Sequence, residues 1–358
     1  MDIYKFLAIF AVAGAADRIL GNRFGLGKEF EKGFKLLGSL ALSMIGMIVL
    51  APFIANLIKP GLTFLSDVIP IDPSVIPALI FANDMGGAPL AKELAKDSSI
   101  GMFNALVVSA MMGCTISYTI PLSMETVDED RHRELITGIL CGIATIPIGC
   151  FAAGIICGLG IVELLIDLIP VLFIAAVIIF GLLKFPGQSV KILKVLGYLI
   201  KCLITAGLAV GIVSQLIGRD ILPHTDSYAE GARIVFNAVA VMSGTFPFLY
   251  IIGKLFNKQI LWFGKKLGIN PAASMGILSS LATSVPTFEK MREMDKKGIV
   301  LNSAFAVSGA FVFCGHLAFT MAFAPEYVVP VIVGKLISGV SAVAVAMIIY
   351  GRIYAGVK

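Results

Sequence analysis

Residues 71–97 read IDPSVIPALIFANDMGGAPLAKELAKD, and 198 positions later residues 269–295 read INPAASMGILSSLATSVPTFEKMREMD. In this ungapped register Ile71-Asp72-Pro73 answers Ile269-Asn270-Pro271, and Lys92, Asp97 and Asn104 answer Lys290, Asp295 and Asn302. The match continues upstream, pairing Gly33 with Gly231, Lys35 with Arg233, Met44 with Met242, Gly46 with Gly244, Ile54 with Ile252 and Leu57 with Leu255. Roughly half the chain therefore has a twin. Each copy holds a short apolar segment, 72–90 or 270–288, with proline near both ends and polar residues in its middle. Duplicated, Gly/Pro-interrupted apolar segments at matching positions are the sequence mark of a secondary transporter and point to its binding site.

The surrounding chain fits that reading. Of its 358 residues 58% are hydrophobic and 14% charged, with mean hydropathy +0.95, well above a soluble domain. Runs long enough to cross a bilayer as helices lie near 4–20, 34–58, 100–124, 134–158, 162–184, 196–218, 232–257, 299–323 and 327–351. The expected fold is an all-α integral membrane protein of nine to eleven transmembrane helices. Residues 1–20 lack a basic start and a small-residue cleavage site and are expected to stay as the first helix.

Charge decides how the two interrupted segments run. Lys and Arg concentrate in cytoplasmic loops. With both segments re-entrant, twenty of them fall on the cytoplasmic side, Lys358 included. Six fall outside: Lys5, Lys59, Lys92, Lys96, Arg219 and Arg233. With both spanning, the split is fifteen to eleven and the cluster from Lys254 to Lys266 is stranded outside. Re-entrant hairpins give the better segregation. Five crossings then separate the copies, so they face opposite ways: an inverted repeat over 1–160, a connecting helix over 161–188, and a second repeat over 189–358. The hairpin tips would meet near the midplane, where irregular backbone is tolerated if it lines a cavity.

The first tip, Phe81 to Pro89, holds one acid, Asp84. A carboxylate at membrane depth costs about 2.5–3.5 kcal/mol even on lenient scales and calls for a cavity and a counter-charge. A bound ammonium would supply the charge; the alternatives are a cap on the half-helix at Pro89 or a lysine partner. Gly86 and Gly87 permit the tight turn, and Pro89 and Pro286 shape the two hairpins. The second tip carries Ser279, Ser280, Thr283 and Ser284, hydroxyls that suit an amino alcohol or bond back to helix carbonyls. Asn104 and Asn302 stand at equivalent places after the hairpins and either touch substrate or hold the hairpins. Phe81, Phe103 and Asn83 complete the candidate set, an aromatic against a cation being a recurrent contact. His316 reads as a core histidine or a proton-linked site. Asp167 and Glu163, on the unduplicated helix, read as interfacial or interhelical pairs.

The six cysteines lie in apolar stretches with no metal-ligand spacing, so no metal or cofactor is expected. The net charge of +5 comes from scattered loop residues, which argues for a lipid bilayer and against nucleic acid. HExxH, GxSxG and paired membrane-depth aspartates are all missing, so no catalytic residue and no enzyme is expected. The sequence is compatible with a homo-oligomer.

The segments FANDMGGAPLAKELAKD at 81–97 and ATSVPTFEKMREMDKKGIVLNSAF at 282–305 resemble the ethanolamine permease family of bacterial ethanolamine-utilisation operons, and the likeness runs over essentially the full length. The resemblance implies a bacterial plasma-membrane protein that imports protonated ethanolamine, above all at low pH, for metabolism in a cytoplasmic microcompartment. It supplies no site map, so the site residues rest on their chemistry. A rival reading keeps the fold and changes the cargo to another organic cation, or to an anion held at half-helix N-termini with Na+ or H+ as partner.

Overall fold

The computed structural model describes residues 3–68 and 70–354, and among them every regular element is helical. Lys358, counted above on the cytoplasmic side, lies outside the described residues. The helices are α1 (Ile3–Ile19), α2 (Leu26–Lys35), α3 (Leu37–Val68), α4 (Val75–Ile80), α5 (Gly87–Leu94), α6 (Ser98–Phe103), α7 (Ile120–Thr126), α8 (His132–Ile156) and α9 (Ile161–Lys184). The second half holds α10 (Pro186–Ile217), α11 (Tyr228–Leu255), α12 (Asn257–Leu267), α13 (Pro271–Ala282), α14 (Val285–Glu289), α15 (Lys296–Gly309), α16 (Gly315–Phe323) and α17 (Val328–Tyr354).

Seven continuous helical stretches among the described residues are long and apolar enough to cross a bilayer: Leu26–Leu62, Ser98–Thr126, Glu129–Ile156, Ile161–Lys184, Pro186–Ile217, Tyr228–Leu255 and Pro325–Ile353. The chain is a multi-pass membrane protein. Two of the nine expected runs do not meet that standard. The run at 4–20 forms α1, 17 residues long. The run at 299–323 splits into α15 and α16, because Phe311 adopts φ 63° and the helix unwinds between Gly309 and Gly315. Hydropathy is blind to such a break, since Ala310–Cys314 is as apolar as its flanks.

Both interrupted segments return to where they began. The Asp72 carboxylate accepts from the backbone N–H of Lys96 and Asp97 at 2.9 Å, closing the hairpin α4–α5 at its base. Its twin closes likewise: Asn270 N–H donates to Asp295 at 2.9 Å and the Asn270 amide to the Glu293 carbonyl at 2.8 Å. Side-chain acceptors satisfy these chain ends where no helix continues to do so.

The matched glycines make matched contacts across the halves. A Cβ at Gly33 would strike Ser243, and one at its twin Gly231 would strike Ile45, the twin position of Ser243. A Cβ at Gly46 would overlap the Ile204 carbonyl of α10, and one at Gly244 the Leu7 carbonyl of α1. Small residues that let helix backbones touch replace the hydrophobic driving force missing in lipid.

The polar contacts fall at two poles. One joins Arg131 to the Met294 carbonyl (3.2 Å), Lys296 to Glu134 (3.7 Å) and Lys254 to the Phe24 carbonyl (3.3 Å). Amphipathic α12 belongs here, with Lys266 over the exposed Trp262 ring at 3.9 Å, as befits an interfacial helix. The other pole brings Lys92 over Phe323 at 5.6 Å and into the field of Asp226, whose carboxyl burial pushes up, Glu230 adding to the rise and Lys92 opposing it.

Candidate functional site

At the first tip α4 stops at Ile80, Phe81 is extended, Asn83–Met85 make a single 3-10 turn, and Gly86 sits at φ 107° before α5. A side chain is strained at that φ. The tip rests on the helix that follows it, which is π-helical over Asn104–Gly113 and Thr115–Thr119, a form frequent at functional sites. Ser109 donates to the Phe81 carbonyl at 2.6 Å, Ser117 accepts from Ala82 N–H at 3.1 Å, and Gly113 leaves room for the Phe81 and Ala78 carbonyls. One face of that helix, at i, i+4 and i+8, thus grips the tip.

The second tip is held by the break between α15 and α16. Phe311 N–H donates to the Ser280 carbonyl at 3.0 Å and Phe313 N–H to the Leu281 carbonyl at 2.9 Å. Unwinding α15 supplies the donors that the end of α13 needs, so backbone polar groups of both segments are satisfied.

Between the two tips lies a cavity of about 410 Å³. Asp84 and Met85 reach it from the first hairpin and Thr283 and Pro286 from the second; Ser39 and Ser43 of α3, Tyr118, Phe246 of α11, Phe311 and His316 complete the polar and aromatic wall. Asp84 is its one carboxylate. Tyr118 meets Phe311 edge to face at 5.7 Å, and Phe311 lies 5.3 Å from the His316 ring. A carboxylate, three aromatic rings and several hydroxyls are what a small organic ammonium bearing a hydroxyl needs. A vestibule of about 670 Å³, which shares Phe246, Thr283 and Pro286 with the cavity, runs to Glu29, Lys32, Lys35 and Lys254.

Of the residues singled out in the sequence, Asp84, Thr283, Pro286 and His316 line the cavity. Ser279 lines the vestibule instead. Ser280 turns away to Thr287 at 2.9 Å, and Ser284 is buried without a hydrogen-bond partner among the described residues. Asn83 is fully buried, both amide atoms unpartnered among the described residues, and Phe81 packs against the clusters that hold Met47 and Leu90. Asn104 and Asn302 serve the hairpin limbs: Asn104 donates to Ser74 (3.0 Å) and Asn302 to the Ala273 carbonyl (2.9 Å). Phe103 is buried in the main core; the aromatics facing the cavity are Tyr118, Phe246 and Phe311, which no local motif announces. Gly86 and Gly87 sit at the tip, where a Cβ on either would strike Met47 or Ser109. Pro89 is buried within α5.

Lys335 is the functional candidate that pattern reading passed over. It lies on α17, 1% exposed, and its ammonium donates to the Ala110 carbonyl at 2.8 Å within the field of Asp84 and His316. A lone lysine in a transmembrane run was the available signal, because burying an ammonium is costly enough to need a reason. No cluster of three His, Cys, Asp or Glu that could hold a transition metal occurs among the described residues.

A family model described as "Ethanolamine utilisation protein, EutH" matches residues 2–349. The chain is 40% identical over 350 residues to a Listeria monocytogenes protein named probable ethanolamine permease EutH, covering 98% of this chain and 94% of that one. It is 37% identical to the uncharacterised Bacillus subtilis protein YxeR, covering 95% and 92%, and 34% identical to a Salmonella typhimurium protein named probable ethanolamine permease EutH, covering 97% and 94%. No solved structure matches.

Proposed function

Because the chain belongs to the EutH family of ethanolamine utilisation proteins, a family of membrane permeases rather than enzymes, we propose that it carries protonated ethanolamine across the bacterial plasma membrane and holds the ammonium at Asp84. The observation that carries this reading is a single carboxylate facing an aromatic- and hydroxyl-lined cavity at the meeting of two broken hairpins. Ethanolamine is protonated at neutral pH much as a lysine side chain is, and the cation cannot cross hydrocarbon unaided. Asp84 supplies the counter-charge, Tyr118, Phe246 and Phe311 present ring faces, and Thr283, Ser39 and Ser43 are placed for the alcohol. A cavity whose one formally charged lining residue is a carboxylate disfavours an anionic cargo.

The reciprocal contacts Gly33–Ser243 and Gly231–Ile45 support two inverted repeats, 1–160 and 189–358, joined by the helix within 161–188. Nine crossings follow when α1 and the α15–α16 pair are counted with the seven long stretches. In alternating access the two hairpins exchange roles as outer and inner gate. The vestibule at the basic pole corresponds to the inward-open arrangement.

The test is electrical. Uptake of labelled ethanolamine into proteoliposomes should rise when a potassium diffusion potential makes the interior negative, because one charge is worth about 2.3 kcal/mol per 100 mV, roughly fifty-fold in accumulation. Choline and serine serve as competitors to define the cargo. Uptake indifferent to potential would mean that the neutral amine crosses.

Lys335 tempers the site. Its ammonium repels a second one, so Lys335→Met should tighten apparent ethanolamine affinity by about tenfold, the equivalent of about 1.4 kcal/mol, without loss of folded protein. Concentration-dependent uptake checks this; weaker affinity would show that Lys335 positions Ala110 and its neighbours rather than opposing the cargo.

A further inference from the structure

Helix α9 has no counterpart in the second half. Its buried stripe, Leu164, Leu168, Val171, Ala175 and Leu182, is apolar except for Asp167, which is 2% exposed, while Leu165, Ile169, Phe173 and Phe180 face outward. Asp167 Oδ1 accepts from Asn104 Nδ2 at 3.0 Å, and the same amide donates to Ser74 Oγ at 3.0 Å. Two buried oxygens, Asp167 Oδ2 and Asn104 Oδ1, are left with no hydrogen-bond partner among the described residues. Among the described residues no Lys, Arg or His forms an ion pair with Asp167. The Asp72 carboxylate is already engaged by the backbone N–H groups of Ser74, Lys96 and Asp97.

A buried carboxylate with neither counter-ion nor full hydrogen bonding is held only at high cost. Carboxylate, carboxamide and hydroxyl oxygens together form a hard donor set with one negative charge, the kind that takes a small hard cation. A proton would neutralise Asp167 alone and leave Ser74 and Asn104 no ligand role. The second half lacks the hydroxyl and the acid: Ala272 stands where Ser74 does, and Asn302, whose Oδ1 is likewise buried and unpartnered among the described residues, gives its amide to the Ala273 and Gly298 carbonyls.

We propose that Ser74, Asn104 and Asp167 form a binding site for a sodium-sized monovalent cation, which ties the first hairpin's α4 and the start of the π-helical segment to α9. The site is separate from the Asp84 cavity and its existence does not depend on the cargo. It is tested by thermal unfolding of the purified full-length protein in detergent while NaCl replaces KCl at constant ionic strength. The wild-type Tm should climb saturably with sodium, as for any ligand bound only by the native state. Asp167→Asn should abolish the climb, and Ser74→Ala should raise the half-saturating sodium concentration at least about tenfold. Should Asp167→Asn not fold, the wild type and Ser74→Ala decide between them. A wild-type Tm indifferent to the exchange overturns the proposal. So does a sodium response retained in full by Asp167→Asn, or an Asp167-dependent response to pH with none to sodium.

Discussion

Asp84→Asn is expected to reach the membrane in normal amount and to lose ethanolamine uptake by about 100-fold or more. The substitution is isosteric, so the tip keeps its volume and packing. The loss falls on the cargo, which gives up its hydration on entering the cavity and finds no counter-charge. Breaking one partner of a desolvated charge pair costs about 2–5 kcal/mol, and about 3 kcal/mol is already a factor above 100. Lys335 makes the effect sharper, because its ammonium, which shares the field of Asp84, then repels an incoming one without opposition. Uptake assays normalised to membrane-inserted protein measure this. Undiminished transport by the variant would remove Asp84 from the site.

Gly46→Ala should be strongly destabilising, and so should Gly244→Ala, its match in the other half. At Gly46 the new carbon would overlap the Ile204 carbonyl oxygen, and on the facing helix Gly207 already lies against the Gly46 carbonyl. Backbone meets backbone there, so no rotamer can relieve the overlap and α3 must part from α10. Overpacking ordinarily costs about 1–3 kcal/mol and more where nothing can yield. Gly38, where an added methyl would have nothing within 4 Å, provides the control within the same helix. Thermal unfolding in detergent should rank Gly46→Ala and Gly244→Ala far below wild type and leave Gly38→Ala unchanged. A tolerated Gly46→Ala would show that α3 and α10 are not in close contact.

The course of the chain could be read from its sequence to the extent that it is written in local chemistry. Paired prolines and polar residues at 72–90 and 270–288 mark the two hairpins, and the segregation of Lys and Arg favours their return over their passage. Hydrogen bonds from Asp97 N–H to Asp72 and from Asn270 N–H to Asp295 close both bases. What stayed hidden depends on tertiary partners. The unwinding at Ala310–Cys314 costs little because its N–H groups find the Ser280 and Leu281 carbonyls, and no composition signal accompanies it. Of four hydroxyls on the second tip only Thr283 reaches the cavity, a matter of which way each faces after α13 ends. Tyr118, Phe246 and Phe311 come from three distant parts of the chain. The pairing of Asp167 with Asn104 joins α9 to the helix after the first hairpin across 63 residues, so only the packing of α9 brings it about.

The central claim is that one carboxylate between two hairpin tips holds the ammonium. Equilibrium binding of labelled ethanolamine to purified protein tests it without the complications of transport, with wild type set beside Asp84→Asn and Thr283→Val. The account predicts saturable binding in the wild type, none in Asp84→Asn, and affinity reduced about tenfold in Thr283→Val, as for loss of one hydrogen bond to the alcohol. Binding of undiminished affinity in folded Asp84→Asn would contradict it.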